Sequence, residues 1–190
     1  MSYSPAHKQK TRQKILDAAG KLFKAKGYDA TGIDAVMAEA GLTRGGFYAH
    51  FTNKEDLFAS IVLPQNTDLL SPPETADHHV QLKQIFDYYL GASHRDNPPE
   101  GCPLPALSSD IARRGGPARN RYRAIFKGFW KIISHNLEID HKETREENAK
   151  AILSMMIGGV VVSRALGKGV QSQQVLDACR KACQTLAKRH

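Results

Sequence analysis

Apolar residues recur at intervals of three and four along most of the chain, and no run alternates apolar and polar positions as a half-buried strand would. Residues 8–26 carry Ile15, Ala18, Ala19, Leu22 and Phe23 at helical spacing, and Gly27 is a natural stop. Residues 33–40 form a short second helix, with Thr31 and Asp34 in the arrangement that caps a helix start. Gly41 ends it, Thr43 caps a third short helix, and Asn53 caps a fourth that carries Leu57, Phe58 and Ile61. Residues 64–77, with Pro64, Ser71, Pro72 and Pro73, are the clearest break. Beyond it, residues 80–92 look helical and residues 94–105 read as a Pro-rich loop. Pro117 opens a long helix with Tyr122, Ile125, Phe126, Phe129 and Ile133 on one side. Ala149, Ile152, Leu153, Met156, Ile157, Val160 and Val161 continue the period in another helix, and Ser172 caps a last one.

The pattern predicts an all-α protein. A head of short helices in residues 1–60 is followed by a domain of longer helices in residues 61–190. Composition narrows the function more than the fold. The chain has 190 residues and a formal net charge of +8, which suits a polyanionic partner. The longest nearly uncharged apolar stretch, residues 151–163, is shorter than the roughly 18 to 20 residues of a membrane helix. No membrane partner is expected, and the three cysteines without a Cys-x-x-Cys pair fit the cytoplasm. His78 and His79 are adjacent and diverge on a helix, so no metal site is expected, and no cofactor either. Phosphate-loop, dinucleotide, zinc-protease and nucleophile-elbow motifs are all absent, so an enzyme is not expected.

Residues 33–51 carry the chemistry. Two short helices joined at Gly41, with Leu42 plugging the angle between them, make a helix-turn-helix, whose second helix enters a major groove. Thr31, Thr43, Tyr48 and His50 are hydrogen-bonding groups near helix ends. Lys54 stands in the first turn of the next helix, where free backbone N–H groups also attract a phosphate. Arg44 is the best base reader, since its fork matches guanine N7 and O6. Gly45 and Gly46 are costly in a helix interior, a cost better tolerated where the backbone must approach another surface closely.

Residues 31–58, TGIDAVMAEAGLTRGGFYAHFTNKEDLF, resemble the DNA-binding region of the TetR family of bacterial repressors, and the similarity extends back through Ile15, Ala18, Ala19, Leu22, Phe23 and Gly27. The resemblance implies phosphate contacts at Thr31, Thr43, Tyr48, His50 and Lys54, with Arg44, Gly45 and Gly46 at or near the bases. Two positions depart from the commoner pattern: Met37 stands where a small residue is usual, and the paired glycines leave few side chains for base readout. The resemblance also implies a homodimer on a pseudo-palindromic operator in double-stranded DNA, released by a small-molecule effector. Symmetry has its own logic, since one short helix offers few base contacts and a two-fold pair doubles them.

Candidate pocket residues are Tyr89, Cys102, Phe126, Phe129, Trp130 and Met155, each also readable as core. The segment from Gly101 through Ala112 resembles one branch of that family, some members of which sense electrophiles through the corresponding cysteine. Candidate dimer contacts are Gly158, Val161, Val162, Cys179 and Cys183. A dense basic run holds Arg113, Arg114, Arg119, Arg121, Arg123, Lys127 and Lys131. It reads as a solvated helix face, a contact for an acidic effector, or an auxiliary DNA contact. General nucleic-acid coating is the alternative function; it would show a steep salt dependence and little sequence preference.

Overall fold

A computed structural model describes residues 4–62 and 77–188, and every regular element among them is helical. The elements are α1 (Pro5–Lys26), α2 (Ile33–Glu39), a 3-10 helix (Arg44–Ala49), α3 (Lys54–Ile61), α4 (His78–Tyr89), α5 (Ala92–Asp96), α6 (Pro103–Arg114), α7 (Gly116–Asn136), α8 (Lys142–Ala165) and α9 (Val170–Leu186). The break expected at residues 64–77 lies, except for Asp77, outside the described residues.

Contacts divide the chain into two units. The first joins the N-terminal helices to residues 98–123, so α6 and the start of α7 share the head's contacts although they lie beyond residue 60. Its core is Ile15, Ala19, Phe23, Val36, Met37, Phe47, Phe51, Leu57 and Phe58, all buried. Met37 fills this core, where a larger side chain adds buried apolar surface. Ser4 caps α1, and Gly27 ends it at φ 80°, a left-handed conformation open to glycine. A Cβ at Gly27 would also lie 3.3 Å from the Asp110 carboxylate, which accepts the Tyr28 N–H at 2.9 Å. α6 is tied to α1 at its other end, where Lys24 donates to the Gly101 carbonyl at 3.1 Å.

The second unit holds α4, α5, the rest of α7, α8 and α9 around Leu82, Phe86, Tyr89, Phe129, Ile133, Leu153, Met156 and Leu176. α9 packs along α8, and Gly159 lets the two come close. A Cβ there would meet Cys179 Sγ at 2.9 Å and Leu90 Cδ2 at 3.2 Å. Arg164 donates to the backbone carbonyls of His94 and Arg95, tying α5 to α8.

Several local expectations are corrected. The N-cap of α2 is Gly32, so Thr31 and Asp34 form no capping box. Thr43 does occupy the N-cap of the next element, but its side chain makes no capping bond, and that element is a 3-10 helix rather than an α-helix. Six residues with a Gly-Gly pair nucleate an α-helix poorly, and i+3 bonds such as Gly46 N to Thr43 O (3.1 Å) take over. The Pro-rich loop at 94–105 contains the end of α5 and the start of α6. Ser172 lies inside α9, buried, donating to Ser163 O and accepting from Arg95; Gly169 stands at the N-cap instead.

Candidate nucleic-acid interface

Gly41 adopts φ 67°, and Leu42 N donates to Met37 O at 2.9 Å, which turns the chain sharply from α2 into the 3-10 helix. Phe47 and Phe51 are buried and anchor that helix from beneath, with ring centroids 5.8 Å apart. The anchor leaves Thr43, Arg44, Gly45, Tyr48 and Ala49 exposed, with Gly46 and His50 half-buried. Asn53 caps α3 by accepting Asp56 N–H at 2.8 Å, and Lys54 is the first residue of that helix.

The two glycines are informative because nothing among the described residues demands them. Neither has a positive φ. A Cβ at Gly45 would meet no atom within 4 Å, and one at Gly46 would only touch Met37 Cε at an ordinary 3.7 Å. Glycine costs helix stability without a local return here, and the surface it leaves is bare of side chains.

Arg44 is exposed and paired with Asp34 at 2.8 Å. Such an exposed pair is worth about 0–1 kcal/mol, so the guanidinium is readily redirected. Burial, reinforced by the nearby charges of Lys8 and Arg12, lowers the His50 pKa from its ordinary value. Its Nδ1 is buried without a hydrogen-bond partner. The Arg12 guanidinium lies 4.8 Å from the Phe51 ring centroid. Lys8 and Arg12 thus belong beside the candidate residues. Their spacing of four, which puts them on one helix face, was the available signal.

Thr31 stands apart from this surface, against the expectation of a phosphate contact. It is buried, and its hydroxyl donates to Gly27 O at 2.8 Å, so the side chain fastens the joint between α1 and α2.

The pocket and dimer candidates disperse. Cys102 is buried at the N-cap of α6 in the first unit. Tyr89 and Phe129 are buried core of the second, where Phe126, Trp130 and Met155 are half-buried. Of these only Trp130 lines a described recess, an open one of about 360 Å³ shared with Lys131, Ser134, His135, Arg145 and Glu146. Gly158, Val161 and Val162 are exposed on α8. Cys179 is half-buried against Gly159, and Cys183 is fully buried, its thiol pushed up to about 12 chiefly by burial. Cys183 therefore packs within the chain and presents nothing to a partner. The basic run divides as well. Arg113 pairs with Asp110, Arg114 with Asp29 and Glu55, and Arg119 donates to Ala112 O. Among the described residues no three His, Cys, Asp or Glu side chains gather as a metal site, and no helix is long and apolar enough to cross a membrane.

A sharp turn, an anchored surface element and flanking cations define a helix-turn-helix regulator of the DNA-binding kind. The profile of the bacterial regulatory proteins of the tetR family matches residues 15–61. Over 163 residues the chain is 31% identical to the HTH-type transcriptional regulator YxaF of Bacillus subtilis (strain 168), spanning 80% of this chain and 84% of that protein. It is 27% identical over 174 residues to the HTH-type transcriptional repressor BepR of Brucella suis biovar 1 (strain 1330), spanning 84% and 82%. The fold matches the crystal structure of a TetR transcriptional regulator from Legionella pneumophila with a TM-score of 0.78 at 20% identity, over 99% of this chain and 100% of that one. The chain belongs to the TetR family of DNA-binding transcriptional regulators.

Proposed function

We propose that this regulator is a cytoplasmic repressor that binds a palindromic operator as a homodimer and is released by a small-molecule effector. The observation that carries the reading is the bare Gly45–Gly46 surface, which no internal packing requires. It is flanked by exposed Thr43, Arg44 and Tyr48, with His50 closing the same element near Lys8 and Arg12, and Lys54 opening the next helix. Arg44 reads a base, Gly45 and Gly46 admit the groove wall, and Thr43, Tyr48, His50 and Lys54 hold phosphates. Residues 1–60 supply the DNA-binding domain and residues 61–190 the effector and dimer functions. Repression is favoured by the likeness to BepR, a named repressor, and because bound protein occludes a promoter by occupancy alone.

Dimerisation is supported by exposed apolar residues on α8. Val161 is 41% and Val162 48% exposed, and a Cβ at nearby Gly158 would meet no atom within 4 Å. The effector is a small molecule, and the open recess beside Trp130 is a place to seek it. The test is selection of duplexes from a random pool, followed by footprinting and mass measurement of the complex. A dyad-symmetric site bound by two chains is the expected result. Equal affinity for selected and random duplex at physiological salt would overturn it.

A further inference from the structure

Two residues of α6, Asp110 and Arg114, reach the joint between α1 and α2, and Arg113 backs Asp110. Asp110 accepts the Tyr28 N–H, Arg113 pairs with Asp110 at 2.6 Å, and Arg114 hydrogen-bonds Asp29. The Arg114 guanidinium carbon stacks 3.5 Å from the centroid of the Tyr28 ring. The Lys54 ammonium lies 4.1 Å from the same centroid. That ring is itself held by Phe23 and Phe58, at 5.7 Å and 4.9 Å between centroids.

Two like charges on one ring repel, and carboxylates compensate: Asp29 bonds Arg114, and Glu55 lies 4.0 Å from it. Lys54 carries a second penalty, because a cation at the first position of a helix opposes the helix dipole. Burial lowers its pKa from the ordinary lysine value, with Asp29 opposing and Arg114 adding to the shift. A lysine kept against both costs is a lysine placed for an anion. The flat guanidinium is what lets Arg114 lie on the ring, a geometry a lysine cannot reproduce.

We infer that Arg114 is a positioning residue for Lys54: through the Tyr28 ring, the end of α6 holds the ammonium where it meets a DNA phosphate. Arg114 spends its own charge on Asp29 and Glu55 and touches no DNA. The inference rests on the proposed phosphate role of Lys54. Holding a flexible lysine in place before DNA arrives spares that ordering at binding.

The test uses the full chain and the duplex that the unaltered protein selects from a random pool, with anisotropy titrations at several KCl concentrations. Arg114→Lys keeps the charge and loses the stack, and Arg114→Met loses both. Each is expected to weaken binding about three- to fivefold, the scale of one cation–π contact. In a Lys54→Met background the loss is expected to vanish. In reductively 13C-methylated protein, the Lys54 methyl resonance is expected upfield under the Tyr28 ring current, and Arg114→Lys moves it toward free lysine. An undiminished loss in the Lys54→Met background, or a Lys54 resonance indifferent to Arg114→Lys, overturns the inference alone. Unaltered affinity and salt slope for Lys54→Met itself overturns the phosphate reading and takes the inference with it.

Discussion

Gly45→Ala separates folding from DNA binding in a single substitution. In the protein alone the new methyl group meets no atom within 4 Å, and the backbone is not left-handed. Alanine also narrows the unfolded ensemble relative to glycine, which stabilises by about 0.4–1 kcal/mol at a compatible site. The variant should therefore unfold at slightly higher urea. Against DNA the same methyl intrudes where the backbone approaches the groove. Overpacking a close contact costs about 1–3 kcal/mol, which is roughly 5- to 150-fold in affinity. Urea unfolding by circular dichroism measures the first effect, and anisotropy with the selected duplex measures the second. A variant that gains stability and binds within twofold of the unaltered protein would refute the reasoning, because the bare surface would then face nothing.

Other expectations follow from single contacts. The lowered pKa of His50 means that an unfolded chain takes up its proton near pH 6.5 while the folded chain does not. Stability should fall as pH drops through that value and level off below the folded pKa, and His50→Gln should flatten the profile. A phosphate favours the protonated ring, so DNA affinity should rise as pH falls toward the folded pKa of His50 in the unaltered protein and not in His50→Gln. Gly27→Ala should lose about 1–3 kcal/mol of stability in urea, from its positive φ and its closeness to Asp110; an unchanged midpoint would contradict that. Gly159→Ala should destabilise by about 1–3 kcal/mol through collision with Cys179 and Leu90, whereas Gly158→Ala on the same helix should not; like behaviour of the two would remove the argument. Cys102 and Cys183 are buried, so native protein should be alkylated first at half-buried Cys179. Prompt labelling of Cys102 would instead revive its reading as an electrophile sensor.

Helix content, the turn at Gly41, the stop at Gly27 and the cap at Asn53 were legible along the chain, since periodicity and capping act over a few residues. The exposure of Thr43, Arg44, Gly45 and Tyr48 follows from one short element anchored by Phe47 and Phe51, whereas Lys54 on the next helix is half-buried against Tyr28. Long-range contacts were not legible. Ser172 reads as a cap until Ser163 O and Arg95, 9 and 77 residues away, claim it; Thr31 is a local miss, buried with its hydroxyl taken by Gly27 O four residues back. The run from Arg113 to Lys131 reads as one basic face, yet Arg113 pairs with Asp110 on its own helix and Arg114 with Asp29 of the head, 85 residues distant. Local spacing sets which residues share a helix face. Which of those faces is buried, and which charge is already answered by another, depends on segments far apart in sequence that only folding brings together.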